Sequence, residues 1–372
     1  MGRSVAVDSP TGRLVASSRH FGDEDSVRIQ VVLGRQLDPD AAIYLRSFGI
    51  MDAVDPMTIP PRPELGMQGR VCYPLRSSGL LLGFLWLIDD PVNDPGGVAR
   101  RATPPLMAYL PRVAAALEEQ SRLSHRTERA VAALREVLRG DVTEPPEDLF
   151  VSSPMRHDHH VRVFVATHPD APIRLNKEPL LSVSGRTVRV VVATATARLQ
   201  TDTTAAHDRG PVPVAASSLG TPGRLRAMVT EAFLAAVAVT AFATPPNALA
   251  PGVAWDDLGA LTLLLRYAND HPDEAATFAL IERLSQGGNT TPRETAEVFL
   301  DLGGDRTAAA KALYIHRSTL HYRLTQFEKV TGLDLSSGLD RLTIHTAIKL
   351  DRIVRTGLLP FRQAEEFWAE NR

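Results

Sequence analysis

The strongest candidates for binding through charge and hydrogen bonds lie between Arg306 and Lys329. This segment holds five lysines or arginines and one acid, Glu328, although the whole chain has a formal net charge of -2. Arginine and lysine neutralise backbone phosphates, whereas serine, threonine, glutamine and histidine can recognise base edges. The segment therefore predicts a local nucleic-acid surface. Its candidate contact residues are Arg306, Thr307, Lys311, Arg317, Ser318, Thr319, His321, Tyr322, Arg323, Gln326 and Lys329.

The second half of this segment must be a helix if its side chains are to act together. At about 100° per residue, Leu320, Leu324 and Phe327 fall within an arc of roughly 60° and would face a core. A merely solvated helix face usually alternates Glu and Lys, but here no acid precedes Glu328. The pattern favours a helix that presents hydrogen-bonding groups outward. Its outer side would carry Ser318, Thr319, Tyr322, Thr325, Gln326 and Lys329.

A shorter helix should come just before it. Gly303 and Gly304 predict a helix stop, and Asp305 can cap the next stretch, "RTAAAKAL", whose alanines allow close packing. A short turn through Tyr314 and Ile315 then leads to the amphipathic helix. This is the order of a helix-turn-helix, in which the second helix lies in the major groove. We therefore expect double-stranded DNA as a partner.

Two alternatives stay open on the pattern alone. A basic polar helix can also bind an acidic protein partner, or it can simply be a solvated face that binds nothing. His321 adds a further consideration, because histidine changes its charge near neutral pH. DNA affinity could therefore depend on pH through this residue.

Length and composition indicate a multidomain globular protein. With 372 residues and roughly 150 residues per domain, two or three domains are expected. The hydrophobic fraction of 44% and the charged fraction of 23% are typical of a folded chain. The longest apolar stretches, "FLAAVAVTAFA" and "GLLLGFLWLI", are shorter than the roughly 18 residues of a membrane span. The start has no signal-peptide pattern, so we expect a cytoplasmic protein that does not use the membrane, and the one cysteine fits a reducing compartment.

The pattern of the chain changes three times. Short runs with turn signals, "SVAVDSPTGRLVASS" and "GRVCYPLRSSGLLLGFLWLID", predict strands around a helix at "DPDAAIYLRSFGI". A long helix from about Pro111 to Arg139 follows, then strands at "VRVFVAT" and "RTVRVVVATA" and a helix at "TPGRLRAMVTEAFLAAVAVTAFA". After Asn269 only helices are predicted, at "DEAATFALIERLS", "PRETAEVFLDL", "RTAAAKAL", "RSTLHYRLTQFEKVT" and "LDRLTIHTAIKLDRIV". We expect a multidomain α+β fold, divided into residues 1–110, a connecting and dimerising helix at 111–141, an α/β domain at 142–268 and a helical domain at 269–372.

These residues also carry a resemblance. The stretches "AAAKAL", "HRSTLHYRL", "TGLDL" and "RLTIHTAIKL" resemble the C-terminal helix-turn-helix of PucR/CdaR-family transcription regulators. "WDDLG", further upstream, is similar to the end of that family's degenerate GGDEF-like central domain. The first 110 residues, above all "RVCYPLRSSGLLLGFLWLID", resemble a GAF-like sensor, which is a six-stranded sheet flanked by helices.

The resemblance implies a ligand- or signal-responsive, sequence-specific transcription regulator. It would be a homodimer or higher homo-oligomer with a small-molecule effector, it would need no cofactor or metal, and it would not be an enzyme. Two positions depart from the family pattern "HRNTLRYRL": Ser318 stands where Asn is more usual, and His321 stands where Arg is more usual. These two departures bear on which operator sequence is recognised.

Other motifs have plainer explanations. His157 to His160 enter a strand, so their side chains alternate in direction and cannot converge on one metal ion; an exposed loop or strand edge is expected. "GGDR" at 303–306 lies between two helices, where it predicts a helix stop and a cap rather than a cyclase signature. Cys72, Trp86 and Trp255 are expected to lie in the core.

Two rival functions follow from the same sequence. One is a signalling nucleotide enzyme built on the central domain, which would need convergent acids for a metal ion. The other is a regulator that has lost DNA binding and acts through protein partners. No Walker loop, nucleophile elbow or dinucleotide-binding glycine motif occurs in the chain.

Overall fold

The computed structural model describes residues 4–22, 24–89, 106–142, 144–200, 212–243, 248–276 and 291–367. The chain divides into two compact units, Met1–His125 and Arg126–Arg372. The finer division into four parts stays a prediction. In the described residues, no helix is both long enough and apolar enough to cross a membrane.

The first unit contains a five-stranded antiparallel sheet. The strands predicted in the two turn-containing runs are confirmed, and each run forms an antiparallel hairpin. The second hairpin turns through Ser78 and Gly79, whose φ angles of 49° and 82° fit the tight turns that match strand twist. The strands are β1 Val5–Asp8, β2 Leu14–Ser17, β3 Met57–Ile59, β4 Arg70–Ser77 and β5 Leu80–Ile88. Their order across the sheet is β2-β1-β5-β4-β3. The described residues thus form five strands where a GAF-like sheet has six, and the GAF-like assignment stays a prediction.

Successive side chains of a strand point to opposite faces of the sheet. Both faces of this sheet pack against apolar side chains of other elements. One face, with Phe84 and Trp86, packs against two helices, α1 Ser26–Gly34 and α2 Pro39–Arg46. The other face packs against the start of the long helix α3, Leu110–Arg139. Helix α2 and helix α3 were predicted, whereas α1 and β3 were not.

Several polar groups are buried inside the first unit. Asp25 caps α1 by accepting from the Arg28 backbone N–H at 2.8 Å, and its other oxygen pairs with the Arg70 guanidinium at 2.6 Å. Burial raises the pKa of Asp8 to about 6, although the charges of Arg28 and Arg70 lower it. Burial likewise raises the pKa of Cys72 to about 12, so this thiol is the unreactive core residue that was expected.

The second unit begins with the C-terminal half of α3 and contains an antiparallel sheet covered by one very apolar helix. The strands are β6 Val161–Ala166, β7 Leu181–Ser184, β8 Arg189–Thr194 and β9 Val214–Ala216, in the order β7-β8-β6-β9. A short helix, α4 Glu147–Val151, precedes the sheet, and α5 Leu225–Ala241 packs across it. Both predicted strands and the predicted helix are confirmed. Trp255 is buried, as expected, in the 3-10 turn Trp255–Leu258. The GGDEF-like identity of this region stays a prediction.

The rest of the second unit is helical. The helices are α6 Leu261–Asp270, α7 Pro272–Ala276, α8 Thr291–Asp301, α9 Arg306–Ala312, α10 Arg317–Thr331, α11 Gly338–Val354 and α12 Gln363–Phe367. Four of the predicted helices are confirmed as α8 to α11. The one predicted at "DEAATFALIERLS" lies mostly outside the described residues.

Candidate nucleic-acid interface

Two tight turns set the directions of α8, α9 and α10. Gly303 and Gly304 end α8 with φ angles of 69° and 84°, and Asp305 then caps α9 by accepting from the backbone N–H groups of Thr307 and Ala308. "GGDR" is therefore a helix stop followed by a cap, as predicted. The second turn, through Tyr314 and Ile315, joins α9 to α10. The predicted helix-turn-helix order is present in the structure.

His316 fixes the beginning of α10. Its Nδ1 atom accepts from the Ser318 backbone N–H at 3.3 Å and lies 2.8 Å from the Ser318 hydroxyl oxygen. This is the position of an N-cap, where a side chain satisfies a backbone donor that the helix leaves unpaired. Sequence reasoning missed this role because the cap preference favours Ser, Thr, Asp and Asn. The available signal was the position of His316 directly before Arg317, where the helix was predicted to start.

The side of α10 that faces the core is the side that was predicted to be apolar. Leu320, Leu324 and Phe327 are each no more than 2% exposed and share one core with residues of α8, α9 and α11. Ala309 and Ala310 bring α9 close to this core, as expected of small side chains. The inner side therefore fixes which residues of α10 point to solvent.

Every candidate contact residue reaches the surface. Exposed side chains are Arg306, Thr307, Lys311, Arg317, Ser318, His321, Tyr322 and Lys329; half-buried ones are Thr319, Arg323 and Gln326. Arg317 also donates from Nη2 to the Thr307 hydroxyl at 3.1 Å, which links the first turn of α10 to the first turn of α9. We call these eleven residues of α9 and α10 the recognition surface.

The recognition surface is free of competing acids. In the described part of the chain, Arg306, Lys311, Arg323 and Lys329 form no salt bridge. The two acids beside this surface accept from backbone N–H groups instead: Glu328 from Leu335 at 3.0 Å, and Asp305 from Thr307 at 2.7 Å. Since both local carboxylates are engaged in this way, these cations are available to an external anion.

A second set of charged groups lies between α8 and α11, and we call it the α8–α11 ion network. Burial alone would raise the pKa of Asp301, but hydrogen bonds and charges from His345 and Lys349 outweigh burial and lower that pKa. The carboxylates of this network are almost fully buried, with 5–6% of each side chain exposed. The network therefore holds α8 against α11 and leaves the recognition surface uninvolved. Its pairs are Arg293–Asp351, Lys349–Glu297 at 2.9 Å, Lys349–Asp301 at 2.8 Å, Arg352–Glu297 at 2.8 Å and His345–Asp301 at 2.7 Å.

The histidine cluster before β6 has a structural explanation. His157, Asp158 and His160 are exposed, and the His157 ring stacks on Phe150 at a centroid distance of 3.4 Å. This confirms the predicted exposed loop. Across the ranges that the structure describes, no group of three or more His, Cys, Asp or Glu side chains could hold a metal ion.

Comparison with known proteins agrees with this geometry. Residues 293–350 match the model of the family described as PucR C-terminal helix-turn-helix domain. The carbohydrate diacid regulator of Escherichia coli (strain K12) is 52% identical over 44 residues, which cover 12% of this chain and only 11% of that protein.

One solved structure, the regulator of polyketide synthase expression from Bifidobacterium adolescentis, aligns over 52% of this chain and 85% of its own chain. Its sequence identity is 17% and its TM-score is 0.21, which does not establish a shared arrangement. The family match falls on the recognition surface and its supporting helices. Residues 293–350 therefore match a PucR C-terminal helix-turn-helix domain, and this match contains every residue of the recognition surface.

Proposed function

We propose that the protein is a ligand- or signal-responsive transcription regulator that recognises a specific double-stranded DNA sequence through α10. One observation carries this proposal: the recognition surface combines unpaired cations with short hydrogen-bonding side chains and has no competing acid. Burial of Leu320, Leu324 and Phe327 supports it, because a helix fixed on one side can present the other side to the major groove.

The residues divide into two roles. Arg306, Lys311, Arg317 and Lys329 neutralise phosphates and set the position of the domain on the duplex, and Arg323 shares this role from the half-buried edge of α10. Ser318, Thr319, His321, Tyr322 and Gln326 contact base edges and so provide sequence preference. Because Ser318 and His321 replace the Asn and Arg more usual in the family, the operator should differ from that of members with the common pattern.

Recognition by one helix covers only a few base pairs, so the protein should bind as a homodimer or higher homo-oligomer on repeated half-sites. The first unit would be the sensor, GAF-like in fold, with a small-molecule effector and no cofactor. An effector changes DNA affinity only if it binds two arrangements of the dimer with different affinities. Helix α3, which begins in the first unit and ends in the second, is the segment through which such a change would pass.

Selection of binding sites from a random-sequence DNA library tests the proposal directly. The purified full-length chain should enrich a common motif, and it should bind a labelled duplex with that motif at least ~100-fold more tightly than a scrambled duplex of equal length. Tyr322→Ala should reduce this ratio by about tenfold, because one base contact is worth about 1–3 kcal/mol. Arg362→Ala, which removes an exposed cation outside the recognition surface, serves as the control and should leave the ratio unchanged.

Each rival function predicts a different result. A regulator that acts only through protein partners would enrich no motif and would ignore both duplexes at low salt. A nucleotide enzyme would turn over nucleoside triphosphates in the presence of Mg²⁺, with or without DNA. Either result in place of motif enrichment would refute sequence-specific DNA recognition.

A further inference from the structure

The turn between α9 and α10 contains an unusual residue. Tyr314 has a φ of 53°, in the left-handed region that favours glycine, and its side chain is 95% exposed. Both properties are unfavourable for a bulky aromatic residue, because the backbone is strained and the ring gains nothing from burial. The turn thus places a large phenol in solvent three residues before Arg317.

The backbone N–H groups of this turn are hydrogen-bonded. The Ile315 N–H donates to the Ala310 carbonyl at 3.0 Å, and the Tyr314 N–H donates to the Lys311 carbonyl at 3.1 Å. This pairing is a Schellman motif, whose left-handed position is usually glycine. Leu313 and Ile315, on either side of Tyr314, pack against the core of the domain. Folding of the turn therefore requires its backbone and its two flanking side chains, and not the phenol.

The end of α8 provides an internal comparison. There the Gly304 N–H donates to the Phe299 carbonyl at 2.8 Å, and Gly303 occupies the left-handed position with a φ of 69°. A Cβ added at Gly303 would meet nothing within 4 Å, so the backbone conformation and not lack of space explains glycine there. Gly332 ends α10 in the same conformation, with a φ of 73°. Three neighbouring helices thus end in left-handed residues, and only the end that leads into α10 has a side chain.

We propose that Tyr314 is a DNA-contacting residue that binds the sugar-phosphate backbone at the edge of the groove entered by α10. This inference rests on the proposed function. A tyrosine hydroxyl donates well to a phosphate oxygen, and the ring can cover a deoxyribose. The first turn of a recognition helix is the part nearest the bases, so a residue just before it faces the flanking strand. The presence of a strained, exposed aromatic residue at this position then has a physical reason.

A phenol contact differs measurably from a cation contact. Tyrosine is neutral, so its loss should not change the number of counterions released and should leave the salt dependence of binding unchanged. Contacts to the DNA backbone carry no sequence information, so loss of the phenol should weaken binding to the selected and the scrambled duplex by the same factor. Loss of a base contact would instead lower the ratio between the two duplexes.

Three substitutions in the full-length chain test the inference, with fluorescence polarisation on the selected and scrambled duplexes and thermal melting. Tyr314→Gly should raise the melting temperature of the protein by about 2–4 °C because backbone strain is relieved. The same substitution should weaken binding to each duplex about fivefold to tenfold. Tyr314→Ala keeps the strain and should weaken DNA binding by the same factor. Tyr314→Phe should lose the part of the affinity that belongs to the hydroxyl.

Gly and Ala variants that bind DNA within about twofold of the wild type would overturn the inference while leaving the proposed function intact. A lower melting temperature for Tyr314→Gly would also overturn it, because the ring would then serve the fold. If the wild-type chain binds neither duplex, the proposed function fails together with this inference.

Discussion

The α8–α11 ion network and the recognition surface lie on neighbouring helices of one domain, and each is rich in charge. In the network every carboxylate faces a cation within 3 Å, and the acidic side chains are almost fully buried. On the recognition surface the cations are exposed or half-buried, and the local acids, Asp305 and Glu328, bind backbone N–H groups instead. Charge in the network is thus paired inside the protein, whereas the cations of the recognition surface form no salt bridge with any residue that the structure describes.

The largest expected effect comes from breaking the network. Glu297→Ala leaves Lys349 and Arg352 without their shared carboxylate in a half-buried place, and should lower the free energy of unfolding by about 3 kcal/mol. Urea denaturation measures this change. Glu294→Ala, on the exposed side of the same helix, is the matched control and should stay within about 0.5 kcal/mol of the wild type. Equal effects at both positions would show that the network does not hold α8 to α11.

The second effect concerns a buried carboxyl, Asp8, whose neighbouring cations do not fully offset the energetic cost of burying its charge. Asp8 has a pKa raised to about 6, from 3.8, whereas the pKa of Asp301 in the network is lowered. A raised pKa means that ionisation of Asp8 opposes folding. The free energy of unfolding should therefore fall as pH rises from about 4 to 6, and the loss should persist above pH 6. Asp301 has the opposite sign, and its contribution is lost as pH falls below its unfolded pKa.

Asp8→Asn should therefore stabilise the first unit at pH 8 by about 2–3 kcal/mol, with little difference from the wild type near pH 4. Thermal melting across this pH range measures the change. Asp55→Asn removes an exposed carboxyl of the same unit and should have little effect. A variant destabilised at pH 8 would show that the pairing of Asp8 with its cationic neighbours outweighs burial.

A smaller effect is expected on the recognition surface. Arg323→Ala should weaken DNA binding by about fivefold at moderate salt and reduce the magnitude of the salt slope by about 1, while the free energy of unfolding changes little. Salt-titrated polarisation and urea denaturation of the same preparation separate these two quantities. Loss of stability with an unchanged slope would place Arg323 among the structural charges.

The smallest effect concerns the N-cap of α10. His316→Ala should destabilise the domain by about 0.5–1 kcal/mol, whereas His316→Asn, a better cap residue, should restore the loss. Thermal melting of both variants checks this. If Asn and Ala behave alike, the hydrogen bond from the Ser318 N–H does not stabilise the helix.

Local patterns predicted most of the elements that carry the site. Leu320, Leu324 and Phe327 gave the inner side of α10, and Gly303 to Asp305 gave the stop and cap between α8 and α9, because such features depend on short-range geometry. The α8–α11 ion network was not predicted, since Glu297 and Lys349 are far apart in sequence and only the tertiary fold brings them together. Short strands such as β3 and β9, with three residues each, also gave no periodic signal.

Salt-dependent DNA binding by the wild-type chain tests the central claim most directly. The measurement is polarisation of a labelled duplex over a range of salt concentrations. If the five cations between Arg306 and Lys329 contact phosphates, the logarithm of the association constant should fall linearly with the logarithm of salt, with a slope of about -4.5 for each bound domain. No binding at low salt, or binding that does not change with salt, would contradict the claim that this acid-free surface binds DNA.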